Sequence, residues 1–349
     1  MTSSLPRARN ILYAAALAPF STATYRFESL LHLGQQVQPF DLEPYEPSTR
    51  VERWLRFHYP FGPLVARINR ELRKTVAALR PDVVWFDKPT TFTQETMHAI
   101  HKAGTQIVFY VQDAPFGPRN DGCWRQFQRI YRMAHLHCLV RQADVARYRD
   151  WGLPWIETMF SFDPRMHFPP DSGFSDADRN REVSYIGHPH EQRPEFLLRL
   201  ARDYQLPVFI NGNRWTRSLT PEEQQFFTLG NFYSNEQYRS GIWRSKINLS
   251  FVTESNEDDI SHKAVEIAAC AGFLLALRTP GHQALFDEDR EAVFFSSVEE
   301  CADKARFYLG RPDLREAIAA RGRDHAVRSG YDNDTQLARI LNRLDGKPD

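Results

Sequence analysis

Residues 258–280 read DDISHKAVEIAACAGFLLALRTP. In order this is an acidic loop, a helix start at Ser261, a small-residue helix over 262–271 and an apolar strand over 273–277. Ala268, Ala269, Ala271 and Gly272 would let that helix pack closely on a sheet. A helix entered from the carboxyl edge of a parallel sheet points its unpaired N–H groups and positive dipole end out of that edge, where open α/β folds bind ligands. Ser261, His262 and Lys263 occupy that end, so an anion such as a diphosphate would meet backbone donors and an ammonium together. Glu266 falls one turn on, about 4.5 Å along the axis, where a carboxylate can accept from vicinal hydroxyls such as those of a ribose. The plainer alternative is an amphipathic helix carrying ordinary surface charges.

Outward from this block, strand and helix signals alternate. Strands are expected at 182–187 (EVSYIG), 207–211 and 246–252 (KINLSFV), with helices at 194–204, 235–244, 298–309, 314–329 and 334–344. The first half repeats the layout without repeating the residues. Strands are expected at 10–18, 36–41, 82–87 (DVVWFD), 106–112 (QIVFYVQ) and 136–140, with helices at 22–33, 52–79 (interrupted near Pro60–Pro63), 93–102 and 124–134. Continuous apolar runs between helices are the mark of buried parallel strands. The expected fold class is therefore α/β, with two Rossmann-like domains whose parallel sheets face each other across a cleft. Domain bounds of 1–165 and 178–330 follow, joined by the Pro/Gly/Asp/Ser-rich stretch 162–177, with the segment 331–349 returning to the first domain.

Composition excludes several classes. The 349 residues are 42% hydrophobic and 25% charged, as in soluble globular enzymes and unlike disordered chains. Lys+Arg and Asp+Glu balance at 44 each, so nucleic acid is not an expected partner. Residues 1–170 nevertheless carry 21 basic and 15 acidic side chains, a net +6, which admits an anionic acceptor or peripheral membrane contact on that half. Cys123, Cys138, Cys270 and Cys301 lack metal-ligand spacing, so they are expected as reduced, buried thiols with no metal site. Arg7 and Arg9 before the apolar run 11–18 imitate a leader, but the run is short and reads as a strand. The expectation is a cytoplasmic location, either free or peripheral to the inner membrane face.

Other candidates lie at strand ends. Asp113 follows the strand 106–112, where a carboxylate could serve as general base toward an acceptor hydroxyl; Asp87-Lys88 holds the matching place after the preceding strand. Asn211-Gly212-Asn213 closes a strand and could touch a nucleotide, although Asn-Gly is also a common turn. Tyr233 and Tyr238 could flank a base, and His135 and His137 read as structural.

The segment 258–280 resembles the donor-binding signature of group 1 glycosyltransferases, especially their CgeB-like branch, which runs R-x-x-E-(I/A)-x-A-C-G into an apolar strand. Pro280-Gly281-His282-Gln283-Ala284-Leu285-Phe286 resembles the family's loop before a short helix, and 296–329 its paired C-terminal helices. The resemblance implies a GT-B fold and metal-independent glycosyl transfer from a UDP-, GDP- or TDP-linked sugar, with no other cofactor. It implies Glu266 as the ribose residue and Asp258, eight positions earlier, as the sugar contact. Aspartate stands there for the usual glutamate, and Asp259 follows it. Ala271-Gly272 replaces a glycine directly after the cysteine, implying a turn shifted by one residue. Gly187 resembles the turn after the first donor-domain strand, where backbone N–H groups approach phosphate. Arg193 could neutralise that charge, and Lys263 with the helix end would stabilise the leaving diphosphate. Rival readings are a sugar-nucleotide epimerase of the same architecture, an exported two-domain solute-binding protein, and a non-catalytic nucleotide-binding scaffold.

Overall fold

The computed structural model describes residues 6–119, 122–230 and 235–347, and the chain divides into two compact units. The first comprises Met1–Met159, Ser255–Glu257 and Asn333–Asp349; the second comprises Phe160–Glu254 and Asp258–Asp332.

The sheet of the first unit has six strands, β1 (Asn10–Ala15), β2 (Gln36–Asp41), β3 (Val83–Asp87), β4 (Gln106–Val111), β5 (Leu136–Leu139) and β6 (Trp155–Glu157). All pair in parallel in the order β2-β1-β3-β4-β5-β6. Alternate side chains of a strand go to opposite faces, and here both faces are buried. Ile11, Tyr13 and Ala15 pack with Leu30, Leu337, Ile340 and Leu341 of the helices Thr22–His32 and Asn333–Leu344. Leu12 and Ala14 pack on the other side with Ile68, Leu72 and Ile100 of the helices Pro63–Leu79 and Gln94–Lys102. Pro39 is tolerated in β2 because that strand is an edge and loses no obligatory ladder bond.

A buried charge cluster sits at the carboxyl end of β3. Arg26 Nε donates to Asp87 Oδ2 at 2.7 Å, the Tyr13 hydroxyl donates to the same oxygen at 2.7 Å, and the guanidinium lies 4.5 Å from the Tyr110 ring centroid. Burial, then the Asp87 carboxylate, push the Tyr13 hydroxyl well above its ordinary pKa, so it remains a donor.

The sheet of the second unit comprises β7 (Arg181–Ile186), β8 (Val208–Asn211), β9 (Phe227–Gly230), β10 (Ser245–Ser250), β11 (Leu274–Leu277) and β12 (Val293–Phe295). Its order is β12-β11-β10-β7-β8-β9, again all parallel. This is the order of a dinucleotide-binding sheet, in which the direction of winding reverses between the first and fourth strands. The reversal falls between β7 and β10, registered Val183 to Ile247. The stretch 162–177 belongs to this unit: Phe162 bridges Asp332, and Asp163 and His167 are buried. The four cysteines are free and buried. Among the described residues no helix is long and apolar enough to cross a membrane.

Replacing Arg26 with Ala would leave the Asp87 carboxylate buried without its cation, a loss of about 3–5 kcal/mol. Urea unfolding followed by circular dichroism should show it, and a loss below about 1 kcal/mol, as for an exposed pair, would contradict this account.

Candidate functional site

The helix His262–Ala269 starts where the sequence places it. Ser261 is its N-cap, and its hydroxyl accepts from Ala264 N at 3.1 Å. The cap is itself fixed by His282, fully buried on the helix Pro280–Leu285. His282 Nδ1 is 2.7 Å from Leu277 O and so carries the proton, while Nε2 accepts from Ser261 N at 3.1 Å. At the other end Ala271 takes a left-handed φ of 52°, and Gly272 N bonds back to Ile267 O at 2.9 Å. Gly272 is required by proximity, since a Cβ there would lie 2.6 Å from Ile242 Cγ2. Alanine thus takes the left-handed turn position, and the glycine one residue later permits the close approach.

This helix start adjoins the reversal between β7 and β10. Gly187 follows β7, and a Cβ on it would sit 3.1 Å from Lys263 Cε, so the lysine stem lies across the glycine. Trp215 Nε1 donates to Gly187 O at 2.7 Å, and Gly187 N donates to Asn211 O at 2.8 Å, which holds the turn against the end of β8. Lys263 is half-buried and, among the described residues, makes neither an ion pair nor a side-chain hydrogen bond. An ammonium in such a place, at the start of a helix, is available to an anion.

Glu266 lies one turn further along the helix and is 9% exposed. The Tyr238 hydroxyl donates to its Oε2 at 2.6 Å. His167 Nδ1 accepts from Asp163 N at 3.1 Å, which leaves the proton on Nε2, 3.7 Å from Glu266 Oε1. Burial works against the charge, but His167, His262, Tyr238 and Lys263 outweigh it and hold the Glu266 carboxyl below its usual range. Glu266 is therefore an ionised, oriented acceptor at neutral pH. His167, from the stretch 162–177, was invisible as a site residue in sequence; no motif marks it, because only folding brings it to Glu266.

The remaining candidates of this unit are placed as follows. Arg193 is 7% exposed and donates to the Tyr185 hydroxyl at 3.1 Å, Val252 O at 2.8 Å and Thr253 Oγ1 at 2.9 Å. It ties the ends of β7 and β10 together. His262 Nε2 contacts Ser161 O at 3.1 Å, and its ring packs 4.9 Å from Phe160. Asn211 is sealed inside, with neither amide atom hydrogen-bonded. Asn213 is exposed, and its carbonyl is 3.4 Å from His188 Nδ1. Asp258 is half-buried in the loop after β10, and its N–H donates to Thr253 O at 3.2 Å. Tyr233 lies outside the described residues.

In the first unit, Asp113 follows β4 and pairs with Lys88 Nζ at 2.7 Å. Burial raises its pKa, but Lys88, then Arg141 and Arg119, hold it below the usual carboxylate range. The pair borders a cavity of about 430 Å³, also lined by Arg53, Arg56, Phe57 and Trp124. Asp87 reaches the same cavity but is committed to Arg26 and Tyr13. His137 is buried between the rings of Phe109 and Tyr148, and His135 Nδ1 accepts from Ile107 N at 2.9 Å. Among the described residues no group of three or more His, Cys, Asp or Glu is arranged to hold a metal.

A sequence-family model described as glycosyl transferase-like matches residues 191–342. The matched stretch is somewhat under half of the chain and contains Ser261, Lys263 and Glu266. No curated protein matches. Among solved structures the chain is similar to HepE of Anabaena in complex with UDP-glucose, at 14% identity and a TM-score of 0.67, over 97% of this chain and 100% of that one. It is similar to sucrose-phosphate synthase of Thermosynechococcus elongatus at 12% identity and 0.66, over 97% and 100%, and to a glycosyltransferase of Rickettsia africae at 10% and 0.70, over 97% and 99%. At such identities the likeness is one of fold, the GT-B pairing of two Rossmann-like units.

Burial holds the His282 imidazole below the ordinary histidine range. Below about pH 6.5 the unfolded chain then binds a proton that the folded chain refuses, so stability present at neutral pH is lost as pH falls. Urea midpoints should drop from about pH 7.5 to about pH 5.5, and less steeply in His282→Leu. Equal slopes would show that His282 does not report on the cap.

Proposed function

We propose that the chain is a glycosyltransferase of the CgeB-like branch, moving a sugar from a nucleoside-diphosphate sugar to a hydroxyl acceptor without a divalent cation. The observation that carries this reading is the Lys263 ammonium, without an ion pair among the described residues, at the capped start of the helix His262–Ala269, lying across Gly187 where the strand order reverses. A diphosphate placed there meets Lys263 and the N–H groups of His262 and Lys263, with the charge of Arg193 behind the loop it ties. Such preoriented donors typically contribute on the order of 3–4 kcal/mol each to a developing leaving-group charge, the task a metal performs elsewhere. Glu266 accepts from the ribose hydroxyls, Asp258 faces the sugar, and Gly187 and Asn213 flank the nucleotide.

The acceptor hydroxyl is assigned to the cavity of the first unit, where Asp113 takes its proton. Its lowered pKa keeps it ionised beside Lys88, and it is half-buried at the cavity, whereas Asp87 is 5% exposed and held by both Arg26 and Tyr13. The free buried cysteines fit a reducing, cytoplasmic setting. Because the similar HepE was crystallised with UDP-glucose, UDP is the first probe, followed by GDP and TDP.

Calorimetry should find one nucleoside diphosphate that binds, with Lys263→Ala and Glu266→Ala each weakening it about tenfold or more, as for lost hydrogen bonds to charged groups. Unchanged affinity in both variants rejects the site. In a transfer assay with the donor so identified, Asp113→Asn should lower kcat about 100-fold while EDTA leaves the wild-type rate intact. A rate abolished by EDTA and restored by a divalent cation would refute the metal-independent reading.

A further inference from the structure

The helix Arg50–His58 is amphipathic in the inverted sense. At about 100° per residue, Val51, Trp54, Leu55 and His58 share one face, while Glu52, Arg53 and Arg56 share the other. A surface helix ordinarily turns its apolar stripe to the core, but no residue of this one is buried. Arg53 and Arg56 face the first-unit cavity instead, and Arg56 Nη1 is held by Glu46 at 2.9 Å and by Tyr45 O at 3.0 Å. The apolar side is left outward: Val51 is 68% exposed, Trp54 55% and Leu55 46%. The chain beyond the helix extends the patch with Tyr59 and Phe61, 50% and 40% exposed.

The rim of this patch is basic. The guanidinium of Arg125 lies 4.8 Å from the Tyr59 ring centroid, and that of Arg129 lies 4.8 Å from Phe61. Arg50 begins the helix. Among the described residues none of these three arginines forms an ion pair, and the first 170 residues carry the chain's basic excess. Contiguous exposed apolar patches mark interaction sites, and the charge decides the partner. A second copy joined through this patch in a two-fold dimer would set the same unpaired arginines near each other. A surface of anionic headgroups complements both the arginines and the aromatic side chains, which favour the water–hydrocarbon boundary.

We propose that residues 50–61 form an interfacial anchor that seats Val51, Trp54, Leu55, Tyr59 and Phe61 in the headgroup region of an anionic phospholipid bilayer, with Arg50, Arg125 and Arg129 against the phosphates. The anchor does not depend on the transferase reading and needs no segment that crosses the membrane.

The full chain should co-sediment with vesicles of phosphatidylcholine and phosphatidylglycerol but weakly with phosphatidylcholine alone, and salt should release it. Arg125→Gln with Arg129→Gln should lower partitioning about 30-fold, from the usual weight of a basic residue near an anionic surface. Trp54→Ser with Leu55→Ser should lower it at least as much, and since all four positions are exposed their thermal midpoints should stay at the wild-type value. Failure to bind the anionic vesicles overturns the proposal. So does a dimer in sedimentation velocity that Trp54→Ser with Leu55→Ser converts to monomer, which would assign the patch to a second copy.

Discussion

A parallel sheet that winds both ways from its centre must part its loops somewhere, and in the second unit they part between β7 and β10. The connection after β7 runs toward β8 and the one after β10 toward β11, and Arg193, from the first of these, reaches back to Val252 and Thr253 beyond β10. The candidate site lies along that divide: Gly187 lets the Lys263 stem lie against the backbone, Arg193 ties Tyr185 of β7 to Val252 and Thr253 after β10, and the helix His262–Ala269 starts beside them. The position of that helix depends on His282, whose protonation state fixes Ser261 through a single backbone bond.

The two units treat charge differently. In the first, Arg26, Asp87 and Tyr13 satisfy one another inside the core, and a buried pair of this kind gains little net stability over an apolar one while costing much if broken. In the second, Lys263 forms no ion pair among the described residues, and Glu266 accepts from Tyr238 with His167 and the charge of Lys263 nearby. Mutually satisfied charges hold a core, whereas an ammonium outside any ion pair near an oriented carboxylate marks a candidate site.

The fold was legible in the sequence where burial was complete. VVWFD and QIVFYV are covered on both faces, so their apolar runs identify β3 and β4 with nearly the observed bounds. Three strands were not legible: β6, β9 and β12 have three or four residues each, and each lies at the margin of its sheet, where half the pattern is absent. The helix expected over 124–134 is instead a short helix, Phe127–Ile130, between two 3-10 turns, because Trp124 and Phe127 are drawn into the core by aromatic contacts that local periodicity does not encode. In the candidate site, the closeness of Ser261, Lys263 and Glu266 was legible because they cap or lie on one helix, and their spacing is a local property. His167 and His282 could not, since each acts on that helix from a distant part of the chain.

The network at Glu266 also limits what the carboxylate can do. Tyr238 already donates to Oε2, so a ligand hydroxyl at that oxygen must share it, whereas Oε1 has, among the described residues, the 3.7 Å approach of His167. The two neighbours fix the carboxylate plane before anything binds, which removes an ordering cost that a free glutamate would bear on association. They also explain why an acid is affordable in so dry a place: each atom that would otherwise miss water has a donor or a cation in reach. A hydroxyl pair reaching Oε1 would therefore meet an acceptor whose charge, orientation and desolvation were settled by the fold.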